Sequence, residues 1–189
     1  GPVMDSAAKM AAGELRPRAL LVRDYADVPR VQGNEARLAQ VFLNLIINAA
    51  QALPEGRPEQ HEVWLVTRRQ GADHVVAEVQ DTGCGIAPEV VGRIFDPFFT
   101  TKPVGVGTGL GLALCHAFIT SMDGRIEVES QAGRGTVFRV TLPVARGEAV
   151  QAPRAVEPKE EVSMRGRVLV VDDDPLVSSA LRRTLSREH

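Results

Sequence analysis

Two side-chain amides, one carboxylate and a run of glycines are the residues of this chain whose spacing suits chemistry. Asn44 and Asn48 stand four apart in "NEARLAQVFLNLIINAAQAL", so on a helix they project side by side. Leu38, Val41, Phe42, Leu45, Ile46 and Ala49 make the apolar face of that segment, which sets both amides, flanked by Gln40 and Gln51, beside a hydrophobic core. Asparagine is a mediocre helix former, and its polar end costs about 1–3 kcal/mol if buried without a partner. An amide carbonyl is a hard, neutral oxygen of the kind Mg²⁺ accepts alongside waters and phosphate oxygens. Amides that cap local backbone or face solvent are the competing reading.

The carboxylate is Asp81, at the end of the strand-like run "HVVAEVQDTGCGI". Glycines directly after a strand-end carboxylate let the backbone approach a flat ring, and the carboxylate can accept a hydrogen bond from an exocyclic amine. Such a bond contributes about 1.5–3 kcal/mol, roughly a ten- to hundredfold preference for an amino purine. An Asp-led turn is the simpler alternative. The glycines of "TTKPVGVGTGLGLAL" alternate at Gly105, Gly107, Gly109 and Gly111. They match neither the dinucleotide fingerprint, whose i+5 positions here hold leucine, nor the P-loop, since no lysine follows them. Backbone N–H groups opening a helix without a Cβ in the way form a phosphate site of a third kind. A mobile surface loop before a core helix fits the glycines equally well.

These segments sit in an ordinary globular chain. Its 189 residues are 44% hydrophobic and 24% charged with net charge −2, enough for one core and without the basic excess that nucleic-acid binding needs. No apolar run reaches membrane-spanning length and no signal-peptide pattern opens the chain, so no membrane contact and a cytoplasmic location are expected. Cys84 and Cys115 form no metal or disulfide framework. Gly1-Pro2 has the form of a protease scar, and residues 1–14 are expected to be scar and tail.

The elements that must position the chemistry follow from periodicity. Asn34 caps a helix ended by Pro54 and Gly56. "HEVWLVTRR" and "HVVAEVQDTG" make a hairpin through Gly71-Ala72-Asp73, and "LGLALCHAFITSM" makes an amphipathic helix with Leu110, Leu114, Ala117, Phe118 and Met122 on its apolar side. Residues 15–145 form one α/β segment. Residues 146–166, rich in Pro, Ala, Glu and charge, form a linker, and "RVLVVDDDP" restarts order within 167–189.

Asn44 with Asn48, Asp81-Thr82-Gly83-Cys84-Gly85-Ile86, Phe95-Asp96-Pro97-Phe98-Phe99 and Gly105 to Gly111 occur in this order. Together they resemble the N box, first glycine box, F box and second glycine box of the histidine-kinase branch of the gyrase/chaperone/histidine-kinase/MutL ATPase superfamily. The resemblance covers residues 15–145, "GRGTVFRVTLP" looking like the family's closing strands. It implies an α+β fold, a two-layer α/β sandwich of Bergerat type whose mixed sheet is covered on one face by helices, binding ATP with Mg²⁺ beneath a lid. On that pattern Asn48 holds the metal with Asn44 beside it, Asp81 takes the adenine amine, and Gly83, Gly85 and Ile86 shape the base pocket. Phe95, Phe98 and Phe99 anchor the lid by packing. Gly107, Gly109 and Gly111, with Thr108 and Leu110, place backbone donors at the phosphates. Lys102, in "TTKP" where many histidine kinases carry an arginine soon after the F box, is the one obvious cation near them and is expected to neutralise the γ-phosphate, with a solvated loop lysine as the alternative.

The superfamily's hydrolases carry a glutamate one turn before the metal asparagine, where it activates water. Here that position is Asn44, which favours phosphoryl transfer to a histidine over hydrolysis. None of His61, His74, His116 and His189 fits the phosphoacceptor motif, so the acceptor is expected on a separate dimerisation domain of a homodimeric parent. "VLVVDDDP" resembles the first strand of a response-regulator receiver domain, Asp172 and Asp173 matching its Mg²⁺-binding acidic pair, which implies a hybrid histidine kinase with a receiver as a further partner. A self-contained ATPase and a non-catalytic nucleotide-sensing docking module are the alternatives.

Overall fold

The computed structural model describes residues 1–102 and 107–145. Gly105, the expected linker at 146–166 and the receiver-like start at 167–189 with Asp172 and Asp173 lie outside the described residues. In chain order the elements are α1 (Pro2–Met10), α2 (Ala12–Leu15), β1 (Leu20–Tyr25), α3 (Glu35–Gln51), β2 (Glu62–Gln70), β3 (His74–Asp81), α4 (Pro88–Val91), α5 (Gly111–Thr120), β4 (Arg125–Gln131) and β5 (Gly135–Pro143), with a single 3₁₀ turn at Pro58–Gln60. The strands form one sheet in the order β1-β2-β3-β5-β4. Only the β1–β2 pair is parallel, and the other three pairs are antiparallel. Helices pack on one face of this mixed sheet, giving the two-layer α+β sandwich that the resemblance implied.

Register determines what the helices cover. Leu65, Val79, Phe138 and Val128 lie in one row across β2, β3, β5 and β4, and Thr67, Ala77, Val140 and Ile126 lie in a second. The next row at the other end reads Val63, Asp81, Thr136 and Ser130. The core face therefore becomes polar at one margin, and Asp81 sits there. The alternate residues point the opposite way, as the two-residue period of a strand requires, and carry charge: Arg139 Nε donates to Glu78 Oε1 at 2.6 Å and Arg139 Nη1 to Glu129 Oε1 at 2.8 Å.

Helix α3 spans the inner face. Its first turn is capped by Asn34, whose Oδ1 accepts from the Arg37 N–H at 3.1 Å, which satisfies one of the donors a helix start leaves free. Leu38, Val41, Phe42, Leu45, Ile46, Ala49 and Ala50 are buried, the stripe that the sequence predicted. Asn44 and Asn48 are half-buried at its margin.

Two expectations are corrected. Residues 2–15 are not a loose tail: Met4, Ala7, Ala8, Ala11 and Leu15 are buried in the common core, at the three-to-four spacing of one helix face. Alanines leave room for α1 to lie close against α3, and Asp5 Oδ1 accepts from Arg23 Nε at 2.7 Å and from the Tyr25 hydroxyl at 3.2 Å, fastening α1 to β1. Pro2 opens α1, a first helical position to which proline is well suited. The second correction concerns α5, whose buried residues are Cys115 and Ile119, followed by Met122, whereas Leu114 is 40% exposed and Ala117 lies outside. This helix is apolar nearly all round, so periodicity did not select its inner face.

Met4→Ala is expected to lower the unfolding free energy by about 2–4 kcal/mol, and Met10→Ala, at an exposed position of the same helix, by less than about 0.5 kcal/mol. Urea titration followed by circular dichroism measures both. Equal effects would show that α1 is not part of the cooperative core.

Candidate functional site

Asp81 is placed by β3 and held by backbone. The carboxylate is 7% exposed, and its Oδ1 accepts from the Gly83 N–H at 2.8 Å. Burial pushes its pKa up to about 6, the N–H groups of Gly83 and Thr136 acting in the opposite direction. The loop after β3 is tied on both sides: Cys84 N donates to the Ala52 carbonyl at the end of α3 at 3.2 Å, and Gly133 N donates to the Cys84 carbonyl at 2.7 Å. Ile86 N donates to Ser130 Oγ at 2.8 Å. A Cβ on Gly85, where φ is +68°, would stand 2.1 Å from the Gln131 carbonyl oxygen, so glycine is required there for close backbone approach.

The phosphate-side elements converge on α3 from across the site. Asn44 Nδ2 donates to the carbonyl of Gly111, the first residue of α5, at 3.4 Å. The same amide nitrogen reaches Cys115 Sγ at 3.8 Å. Burial raises the Cys115 thiol to about 11, which the contact with Asn44 partly offsets, so the thiol stays protonated near neutral pH. The carbonyl of Gly109, a residue with φ +67°, accepts from the Phe98 N–H at 2.9 Å. A Cβ on Gly109 would fall 2.3 Å from the Phe98 carbonyl carbon. Lys102 Nζ donates to Asn48 Oδ1 at 3.1 Å and to Gln51 Oε1 at 2.5 Å. Burial lowers the Lys102 pKa, and the charge of Glu14 acts against that shift.

These groups border one cavity of about 680 Å³, within the size range of sites for small organic ligands. Asp81, Gly85 and Ile86 line one part of it, while Asn44, Asn48, Lys102, Gly107, Thr108, Gly109 and Gly111 line the rest. Two residues of the expected set lie beside it and do not line it. Gly83 packs against Ala52, holding the Asp81 carboxylate, and Leu110 precedes α5 at its N-cap. Of the three phenylalanines expected to anchor the lid by packing, Phe95 and Phe99 pack against the core, but Phe98 is 74% exposed with φ +66°. Its backbone, paired to Gly109, makes the anchor while its ring stands in solvent.

Several lining positions had no signal in the motifs, Thr136, Phe138 and Gln51 among them. Thr136 borders the cavity because strand register sets it opposite Asp81, which an alternating pattern in "GRGTVFRVTLP" cannot reveal without knowing the partner strand. Phe138 reaches the cavity from the next inner position of β5. Gln51, noted only as a flank of the amide pair, contacts Lys102 directly. The amide oxygens of Asn48 and Gln51 already hold one positive charge, and neutral oxygens of this type suit Mg²⁺, so the donor set present fits the metal that the resemblance implied.

Comparison with known proteins agrees with this geometry. Residues 33–146 match the family described as histidine kinase-, DNA gyrase B- and HSP90-like ATPases. The chain is 37% identical over 172 residues to sensor kinase CckA of Brucella abortus (strain 2308), covering 80% of this chain and 18% of that protein. It is 44% identical over 117 residues to sensor histidine kinase ZraS of Escherichia coli (strain K12), covering 62% of this chain and 24% of that protein. The chain therefore spans a quarter or less of these relatives. Among solved structures it is similar to the catalytic domain of histidine kinase ThkA, with TM-score 0.64, 28% identity, and coverage of 75% of this chain and 92% of that one. Full-length ShkA in complex with AMPPNP matches with TM-score 0.63 and 28% identity over 75% of this chain and 29% of that one.

The raised Asp81 pKa has a sign that can be tested. Below its unfolded value of 3.8 the carboxyl is protonated in both states. As pH rises from there to about 6 the unfolded chain ionises first, so native stability falls, by up to about 3 kcal/mol. Asp81→Asn is expected to remove that loss, so the stability difference between variant and wild type, from denaturant unfolding at pH 4 to 7, grows with pH and levels off above about 6. A difference independent of pH would mean that the carboxylate is not desolvated.

Proposed function

The chain belongs to the histidine kinase-, DNA gyrase B- and HSP90-like ATPase family, and from that membership we propose that it is the ATP-binding catalytic domain of a hybrid sensor histidine kinase. It binds Mg-ATP and donates the γ-phosphoryl group to a histidine on a separate dimerisation domain of the same parent. A receiver domain, to which Asp172 and Asp173 would contribute the metal-binding acids, accepts the group afterwards. ATP as substrate puts this chemistry on the cytoplasmic side. The observation that carries the reading is that Asn48, Asp81 and Gly109, from three segments far apart in sequence, line the same cavity.

Each residue then acts through a property already described. Asp81 accepts from the adenine amine, and its partner Gly83 keeps it oriented. Gly85, locked against Gln131, and Ile86 form the edge and floor for the base. The N–H groups around Gly107, Thr108, Gly109 and Gly111 at the start of α5 face the phosphates, where a helix N-terminus favours negative charge. Leu110, as the N-cap, sets the direction of those donors. Asn48 holds Mg²⁺, which neutralises charge along the phosphates. Lys102 neutralises the terminal phosphate, and Asn44 keeps α5 in register with α3. The AMPPNP bound to ShkA, a relative in fold at 28% identity, is consistent with this assignment.

Transfer is favoured over hydrolysis by the titratable groups at hand. Among the described residues that line the cavity, Asp81 is the one carboxylate, and it is committed to backbone donors at the base end. Asn44 takes up no proton near neutral pH. The base that activates the acceptor accordingly arrives with the acceptor domain.

Isothermal titration is expected to show Mg-ATP binding to the wild type, with affinity roughly ten- to hundredfold weaker for Asp81→Asn and an altered Mg²⁺ requirement for Asn48→Asp. Mixed with its histidine domain and labelled ATP, the chain should label histidine. Steady phosphate release by the chain alone with no histidine label would instead establish a hydrolase, and binding with neither reaction a nucleotide-sensing module.

A further inference from the structure

Lys102 makes two hydrogen bonds of one kind. Its ammonium donates to the side-chain oxygens of Asn48 at 3.1 Å and Gln51 at 2.5 Å. The two residues are three apart on α3 and so leave the helix on neighbouring paths. An ammonium only donates, so in both amides the oxygen end is turned to the charge. Two neutral oxygens converging on a single cation form an assembled cation site, and the present occupant belongs to the protein.

The same oxygens are suitable donors for a divalent cation, which binds amide carbonyls at shorter range and recruits phosphate oxygens for its remaining positions. The two occupants disfavour each other, because an ammonium and a divalent cation on one oxygen pair would stand a few ångströms apart and repel, even at a half-buried site. We propose that Lys102 and the divalent cation of a bound nucleotide compete for the oxygens of Asn48 and Gln51, so that Gln51 belongs to the metal site and Lys102 is a displaceable internal counter-ion that sets the metal's affinity. This rests on the nucleotide reading above and extends it. Metal entry frees the ammonium beside the phosphates, where negative charge receives it, so one exchange both seats the metal and releases the lysine.

The test is a Mn²⁺ titration of the ADP-bound protein, with free Mn²⁺ read by electron paramagnetic resonance, on wild type, Lys102→Met, Gln51→Leu and the double variant. Gln51 is exposed and Lys102 half-buried, and urea midpoints confirm that each variant folds. Competition predicts that Lys102→Met tightens Mn²⁺ binding about tenfold, that Gln51→Leu weakens it about tenfold, and that the gain from Lys102→Met shrinks below about twofold in the Gln51→Leu background. The inference is overturned if Lys102→Met leaves Mn²⁺ affinity unchanged. It is equally overturned if the gain persists undiminished without the Gln51 oxygen, since that is a general charge effect. Calorimetry of ADP with and without Mn²⁺ separates the two levels: ADP binding with Mn²⁺ affinity insensitive to Lys102 removes only the competition, whereas no ADP binding by wild type even with Mn²⁺ present removes the nucleotide reading and this inference with it.

Discussion

A carboxylate buried at the end of a strand must be compensated, and much of the architecture around Asp81 does so. With 7% exposure it has little water to solvate it, and burial has raised its pKa to about 6. Backbone N–H groups of Gly83 and Thr136 are the compensation the protein supplies. Both require unusual closeness. Gly83 has no room for a side chain between Ala52 and the Asp81 carboxylate, and a Cβ on Gly135 would lie 1.9 Å from the Asp81 carbonyl oxygen at φ +98°. Ser130 completes the row by bonding the Gly135 carbonyl at 3.0 Å and the Ile86 N–H at 2.8 Å. The β3 loop, the β4–β5 turn and the last turn of α3 are thus one connected support for a single charged group, and a support this extensive is more than an Asp-led turn needs.

Helix α3 carries the second half of the constraint because it serves two environments. Its apolar stripe, from Leu38 to Ala50, closes the core over β2 and β3. The margin of that stripe presents Asn44, Asn48 and Gln51, and each is satisfied by a group from another part of the chain: the Gly111 carbonyl for Asn44, and Lys102 for the other two. No buried side-chain polar atom among the described residues lacks a partner. The polar margin therefore carries no large desolvation cost in the present arrangement, and a ligand must replace these contacts with equivalent ones to enter.

What was legible in the sequence divides along physical lines. The stripe of α3, its Asn34 cap and the β2–β3 hairpin were readable because local periodicity and turn chemistry determine them. The four motifs pointed to residues that border one cavity, because types such as glycine at alternate positions are costly unless used. The role of α1 was obscured, since an alanine-rich face carries a weak hydrophobic signal, and the inward face of α5 was misplaced because leucine and alanine surround it. Thr136 and Phe138 were invisible for another reason: their place beside Asp81 is set by non-local strand pairing, which no local pattern encodes. Phe98 was expected from the resemblance to anchor the lid by packing, yet its backbone is left-handed and bonded to Gly109, and its ring is exposed.

The distribution of charge within the cavity bears on why, on the proposed reading, such a module would need a second domain. A hydrolase brings water, a base and the phosphate together in one chain. Here the described cavity residues supply amides, backbone donors, one buried carboxylate and one ammonium. Amides and N–H groups orient and stabilise anions but do not remove protons at neutral pH. A site of this kind lowers the barrier for whichever nucleophile arrives already activated, while leaving bulk water inert towards the bound nucleotide. On the proposed reading, that division of labour would make an idle domain slow to waste ATP and would place control of the reaction in whatever delivers the acceptor histidine to the cavity.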